Sequence, residues 1–204
     1  MPYYNHNQHY SRLLLDAIPD GCLNALDVGC GDGRLVRRIA ERTGTSVVGI
    51  DRDARILERA REATSDPSVR FIETDFMSYS PDVKFDFICA VASVHHMPYA
   101  AALERLAGLL RPSGVLTVLG LYRTSNALDL AVAGLAVPVN TVYSLRSDNV
   151  ESDATTRPPQ MSLREIRTTS TRLLPNVRVR RLLLWRYLLT WTAPEAANRQ
   201  RPSR

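Results

Sequence analysis

The densest chemical information in this chain of 204 residues lies in Ala25 to Leu35, ALDVGCGDGRL. Glycine stands at 29, 31 and 33, so every second side chain is missing where an apolar run gives way to a helix-forming one. Bare peptide of this kind can lie directly against a ligand, and glycine takes positive φ at little steric cost. Two phosphate-binding patterns are not met. Dinucleotide loops read GxGxxG, the third glycine letting helix and strand pack closely, whereas here the spacing is GxGxG and Arg34 fills the last place. A Walker loop is excluded because no GK[ST] follows. Three acids stand in and after this stretch. Asp27 precedes the first glycine, Asp51 ends the apolar run VVGID, and Asp75 follows FIET with Phe76 beside it. A carboxylate at the end of a second strand can accept hydrogen bonds from both ribose hydroxyls. An acid next to an aromatic ring offers an adenine a polar contact and an apolar face. His95 and His96 follow the apolar run FDFICAV. A histidine of ordinary pKa can serve as a base or orient a hydroxyl, and it can equally cap a helix or bond the backbone.

These residues need a scaffold, and the first 120 positions alternate short β-rich runs with helical ones, the pattern of βαβ units and a parallel sheet. Strands are expected at Asn24 to Val28, Ser46 to Asp51, Val69 to Glu73, Phe85 to Val91 and Val115 to Leu121. Leu35 to Thr43, Asp53 to Thr64 and Ala100 to Leu110 place apolar residues at helical spacing. Gly44 suits the C-cap of the first, and Arg111-Pro112-Ser113-Gly114 reads as a turn closing the third. Ligands of such sheets sit beyond the carboxyl ends of the strands, and Gly29, Asp51, Asp75 and Val91 all fall on that edge. Residues 122–160 break the rhythm and read as an insertion over the site. Ser162 to Leu174 is helical in period, and Val177 to Leu184 with Tyr187 to Thr192 reads as a hairpin. One domain over 1–204 is expected, with 1–22 as an N-terminal segment and 195–204 as a frayed tail. In PYYNHNQHY, residues Tyr4, His6, His9 and Tyr10 are candidates for a lid.

Composition narrows the class. Hydrophobic residues make up 45% and charged ones 23%, as in ordinary globular domains, and no apolar run reaches membrane-spanning length. The start MPYYNHNQHYSR shows no secretory signal, so a cytoplasmic location is expected. Cys22, Cys30 and Cys89 have neither CxxC spacing nor grouped histidines, which argues against a disulfide framework or a metal site. Residues 157–204 hold eleven Arg against Glu165 and Glu195. That region can attract an anionic partner or be a solvated basic face.

DVGCGDG, the acid in GIDRD, the TDF after the third strand and LRPSGVL before the fifth resemble the class I S-adenosylmethionine methyltransferases, over roughly residues 10–121. The resemblance implies an α/β, Rossmann-like sheet of seven strands with an antiparallel ending, which the Val177 to Thr192 hairpin would provide. It implies S-adenosylmethionine as cofactor, S-adenosylhomocysteine as product, and no metal. Asp27, Gly29, Cys30, Gly31 and Gly33 would line the methionine and ribose portions. Asp51, with Arg52 beside it, would hold the ribose, Asp75 and Phe76 would flank the adenine, and Val91 would complete the edge. AVASVHHMPY lies where the family places its acceptor, which makes His95 and His96 the catalytic candidates. The [DNS]PP[YFW] signature of amino-directed base methylation is missing, and Cys89 lies within a strand rather than before a proline, both arguing against a nucleic-acid base as acceptor. A small-molecule acceptor is therefore expected. The alternatives are an RNA or protein methyltransferase using the Arg-rich region, a non-catalytic S-adenosylmethionine-binding protein, and, last, a nicotinamide oxidoreductase.

Overall fold

Four of the expected strands form with the bounds read from the sequence: β1 (Asn24–Val28), β2 (Ser46–Asp51), β3 (Val69–Glu73) and β4 (Phe85–Val91). The computed structural model describes residues 6–125 and 158–195. β1, β2 and β4 are buried almost without interruption, as parallel strands covered on both faces must be. β5 (Leu110–Leu121) starts earlier than expected. Leu110 pairs with Phe85 and Val115 with Phe87, so Arg111 to Gly114 is an irregularity within the strand rather than a turn ahead of it.

Helices fill the crossovers. α2 (Arg34–Thr43) ends on Gly44 in left-handed conformation, whose N–H bonds the Ala40 carbonyl. α3 (Ala54–Glu62) starts from Asp53, whose carboxylate accepts from the amides of Arg55 and Ile56. α4 (Tyr99–Gly108) links β4 to β5. α5 (Leu163–Leu173) carries a capping box in which Ser162 and Glu165 bond each other's backbone amides. The expected hairpin is present as β6 (Arg178–Arg181) and β7 (Arg186–Thr192). β6 is shorter than expected because Leu184 and Trp185 both take left-handed φ, 60° and 56°, in the connecting turn. The N-terminal segment contains a helix not foreseen from the sequence, α1 (His6–Leu15), which buries Tyr10, Leu14 and Leu15.

The strand order is β3-β2-β1-β4-β5-β7-β6, with β7 antiparallel to both its neighbours and every other pair parallel. The chain works outward from β1 and then returns to β4, so the topological switch point lies between β1 and β4. One face of the sheet packs Ala25, Val47 and Phe87 against Leu14 of α1, Val36 and Ile39 of α2 and Leu57 of α3. The other packs Leu26, Val28, Ile88 and Leu116 against Leu103 and Leu106 of α4 and Ile166 of α5. Burial of each such side chain contributes about 1.5–3 kcal/mol, which fixes the edge carrying the site. Most of the anticipated insertion at 122–160 and of the tail at 195–204, together with Tyr4, lies outside the described residues. No helix among the described residues is long and apolar enough to cross a membrane.

Candidate functional site

At the end of β1 the chain turns under two hydrogen bonds, as the amides of Gly29 and Cys30 both donate to the Ile50 carbonyl at 2.8 and 3.0 Å. The loop is thereby latched to the end of β2. Gly29, Gly31 and Gly33 have φ of 74°, 53° and 70°. A Cβ on Gly29 would overlap Ser93, so this glycine permits a close approach of two chain segments. Gly31 differs. Its nearest neighbour would be Ile56 Cδ1 at 3.6 Å, an ordinary contact, so it combines left-handed backbone with a face the protein leaves uncrowded. Gly33 leads into α2 with the Phe71 ring against its α-carbon. The Cys30 side chain is buried toward Gly49, where a Cβ would lie 2.9 Å from Sγ, and only its backbone belongs to the loop.

Asp51 ties the loop together: Oδ2 accepts from Gly31 N at 2.9 Å and Oδ1 from Asp53 N at 3.1 Å. Arg52 beside it is exposed. Asp27 is 2% exposed, beneath the same loop, and Cys89 Sγ donates to its Oδ1 at 3.4 Å. Burial raises its carboxyl to about 7, against the Cys89 hydrogen bond and with the charges of Asp51 and Asp32 adding to the rise. Burial likewise holds the thiols of Cys30 and Cys89 above their ordinary range.

Beyond β3, Asp75 is exposed and its Oδ1 accepts from Met77 N at 2.7 Å. Phe76 is 3% exposed and belongs to the core, with Arg105 over its ring at 5.9 Å and Arg105 Nε donating to its carbonyl at 2.9 Å. The β3 loop therefore presents Asp75 at the surface, while the Phe76 ring is packed below it.

Val91, half-buried, ends β4, and Ala92 follows with φ of 50° while its amide still bonds Leu119 O. Ser93 Oγ donates to the Val28 carbonyl at 2.6 Å, and the Ser93 carbonyl accepts from His96 N at 3.1 Å. One serine thus joins the root of the glycine loop to the 3-10 turn Val94–His96. The rings of His95 and His96 lie 4.0 Å apart. Burial, and then the charge of His96, lower His95 to about 4, so its imidazole is neutral at physiological pH. His95 Nδ1 is buried and has no hydrogen-bond partner among the described residues.

The structure thus brings Asp27, the three glycines, Asp51, Val91 and both histidines to the switch-point edge. Of the lid candidates, His6 and His9 lie on α1, and Tyr10 is buried with its hydroxyl donating to Leu183 O at 3.5 Å, in the β6–β7 turn. Sequence reasoning overlooked Ser93, for which no motif exists, and Gly49. A Cβ on Gly49 would meet Cys30, Phe71 and Val36, each at 2.9 Å, and a glycine inside an apolar strand is a known sign of such close approach.

Comparison with known proteins matches this arrangement. A family model described as a methyltransferase domain matches residues 25–114. An uncharacterized methyltransferase of Mycobacterium bovis is 35% identical over 193 residues, covering 94% of this chain and 98% of that one. A trans-aconitate 2-methyltransferase of an Enterobacter species is 36% identical over 110 residues, 53% of this chain and 41% of its own length. Among solved structures, the N-methyltransferase NodS of Bradyrhizobium japonicum superposes with a TM-score of 0.58 over 93% of this chain and 94% of that one, at 16% identity, which is a likeness of fold. With this sequence similarity over nearly its whole length, on a sheet of this strand order, the chain belongs to the class I S-adenosylmethionine-dependent methyltransferases.

Proposed function

We propose that the cofactor lies across the glycine loop and that a small-molecule acceptor is methylated beside His95 and His96, with the protein working in the cytoplasm. The observation that carries this reading is the juxtaposition through Ser93: the glycine loop and the histidine turn are clasped together at the β1/β4 switch point, where open α/β sheets bind ligands. The donor set fits an adenosyl amino acid. Gly31 offers open backbone, Asp51 a half-buried carboxylate for the ribose hydroxyls, and Asp75 an exposed one toward the adenine. S-adenosylmethionine supplies a methyl group already activated by its sulfonium, which leaves the protein the tasks of position and electrostatics. His95 is neutral, with a buried nitrogen that has no partner among the described residues, suited to hydrogen-bonding the acceptor and aligning it. Burial holds its pKa down at about 4, which makes it a weak base and favours orientation of the acceptor as its role.

Relatives named for trans-aconitate and ubiquinone-pathway methylation support a small acceptor. The buried free thiols of Cys22, Cys30 and Cys89 accord with a reducing compartment. The test is a screen of metabolite extracts with methyl-labelled cofactor, run alongside calorimetry of S-adenosylhomocysteine. Replacing Asp51 by Ala removes the ribose contact and the Gly31 brace, and should weaken that binding by about 1–3 kcal/mol. Unchanged affinity in Asp51→Ala would remove the residue from the site. Label appearing only in RNA or protein fractions would overturn the small-molecule reading.

A further inference from the structure

Asp27 has an environment that the proposed function does not explain. Its carboxyl is 2% exposed at the centre of the sheet, and among the described residues the one side-chain hydrogen bond it accepts comes from a thiol, a weak donor. Its neighbours across the sheet are Gly49 on β2, which has no side chain, and Cys89 on β4. On the loop and at the end of β2 stand Cys30, Asp32 and Asp51, the two acids adding negative charge. The helices covering this face contribute apolar residues to its core, Leu14 from α1 and Val36 and Ile39 from α2. The guanidinium of Arg34 lies 3.3 Å from Asp32, and no ion pair reaches Asp27 among the described residues. A carboxylate buried without a cation is more stable as the neutral acid. A ligand that brings a cation to this loop reverses that preference.

We infer that seating the adenosyl amino acid on the glycine loop drives a proton from Asp27 into solvent, so that cofactor affinity depends on pH through this one carboxyl group. The inference rests on the cofactor placement proposed above. The ammonium group of the cofactor's amino acid provides the positive charge, Asp27 provides the negative one, and the proton goes to buffer. The carboxyl of the ligand-free protein, raised to about 7 chiefly by burial, gives the range in which the effect falls.

Two probes separate the charge from the rest of the ligand. S-adenosylhomocysteine carries the ammonium, whereas 5′-methylthioadenosine keeps the adenosine and the sulfur but lacks the amino acid. Calorimetry in buffers of different ionisation enthalpy should show release of about half a proton per S-adenosylhomocysteine at pH 7, and its affinity should be about tenfold weaker at pH 6 than at pH 8. Methylthioadenosine should release none and bind with the same affinity at both values. In the isosteric variant Asp27→Asn, S-adenosylhomocysteine should also bind without proton release. Binding of S-adenosylhomocysteine with no proton release, or release that persists in Asp27→Asn, overturns the inference and leaves the cofactor placement standing. Failure of both probes to bind overturns the placement and the inference together. Should Asp27→Asn fail to fold, the comparison of the two ligands on the wild-type protein still decides.

Discussion

Glycines that look equivalent in GCGDG are different objects once their surroundings are known. Gly29 lies where a methyl group would strike Ser93, in the middle of the clasp between loop and histidine turn. Gly31 faces nothing closer than an ordinary contact. Both have positive φ, so an alanine at either costs about 1 kcal/mol or more in backbone strain. At Gly29 the overlap adds to it. Gly29→Ala should therefore lose about 2–4 kcal/mol of folding stability by denaturant unfolding. Gly31→Ala should lose only the strain and fold, yet bind S-adenosylhomocysteine at least tenfold more weakly if the cofactor lies across this loop as proposed, because its new methyl group enters the face left open there. Equal losses of stability in the two variants would show that Gly31 serves packing and not binding. Asp51 belongs with Gly31 in this division, since its carboxylate holds the Gly31 amide at 2.9 Å.

Between residue and fold, the decisive element is the five-residue passage from β4 into the 3-10 turn. Ala92 is forced to φ of 50° so that Ser93 can turn back and donate to the Val28 carbonyl. Glycine at 92 would relieve the strain, and Ala92→Gly should stabilise the protein by about 0.5–1 kcal/mol where unfolded-state entropy does not offset it. Ser93→Ala should destabilise it by about 1 kcal/mol, the worth of one hydrogen bond, and should broaden or shift the NMR imidazole signals of His95 and His96 as their turn loosens. If those signals stay put in Ser93→Ala, the clasp does not position the histidines. Little of this passage was legible in the sequence, because AVASVHH has no motif whose spacing reports a left-handed alanine. By contrast, the strands at 24–28, 46–51, 69–73 and 85–91 were legible to the residue, since each is a short, mostly apolar run set off by turn-forming or charged residues. α1 was not, because HNQHYSR is polar and its buried residues, Tyr10, Leu14 and Leu15, make a stripe too short to register as periodicity. Phe76 stood beside Asp75 in sequence, but in the turn after β3 the carboxylate is exposed while the ring is packed in the core, a division that adjacency in sequence does not report.

At the scale of the whole molecule, the buried Asp27 and the half-buried His95 have effects on stability that oppose each other. Asp27 is raised from 3.8 to about 7, so the native state holds its proton more tightly than the unfolded chain does. Its contribution is fully present below pH 3.8 and is lost as pH rises through 7, on the order of a few kcal/mol in all. His95 is lowered from 6.5 to about 4, so the native state resists taking a proton. Its contribution is present above pH 6.5 and is lost as pH falls toward 4. Between pH 4 and 6.5 the two slopes have opposite signs and partly cancel, and single substitutions should uncover each in turn. Urea unfolding of Asp27→Asn should show stability rising from pH 4 to 6.5, the His95 limb alone, while His95→Gln should show it falling from pH 4 to 7, the Asp27 limb alone. Curves for both variants that run parallel to the wild type would mean that neither group titrates differently in the folded and unfolded states. The Asp27 limb would then vanish together with the proton release expected on cofactor binding, since both arise from one carboxyl buried without a cation among the described residues.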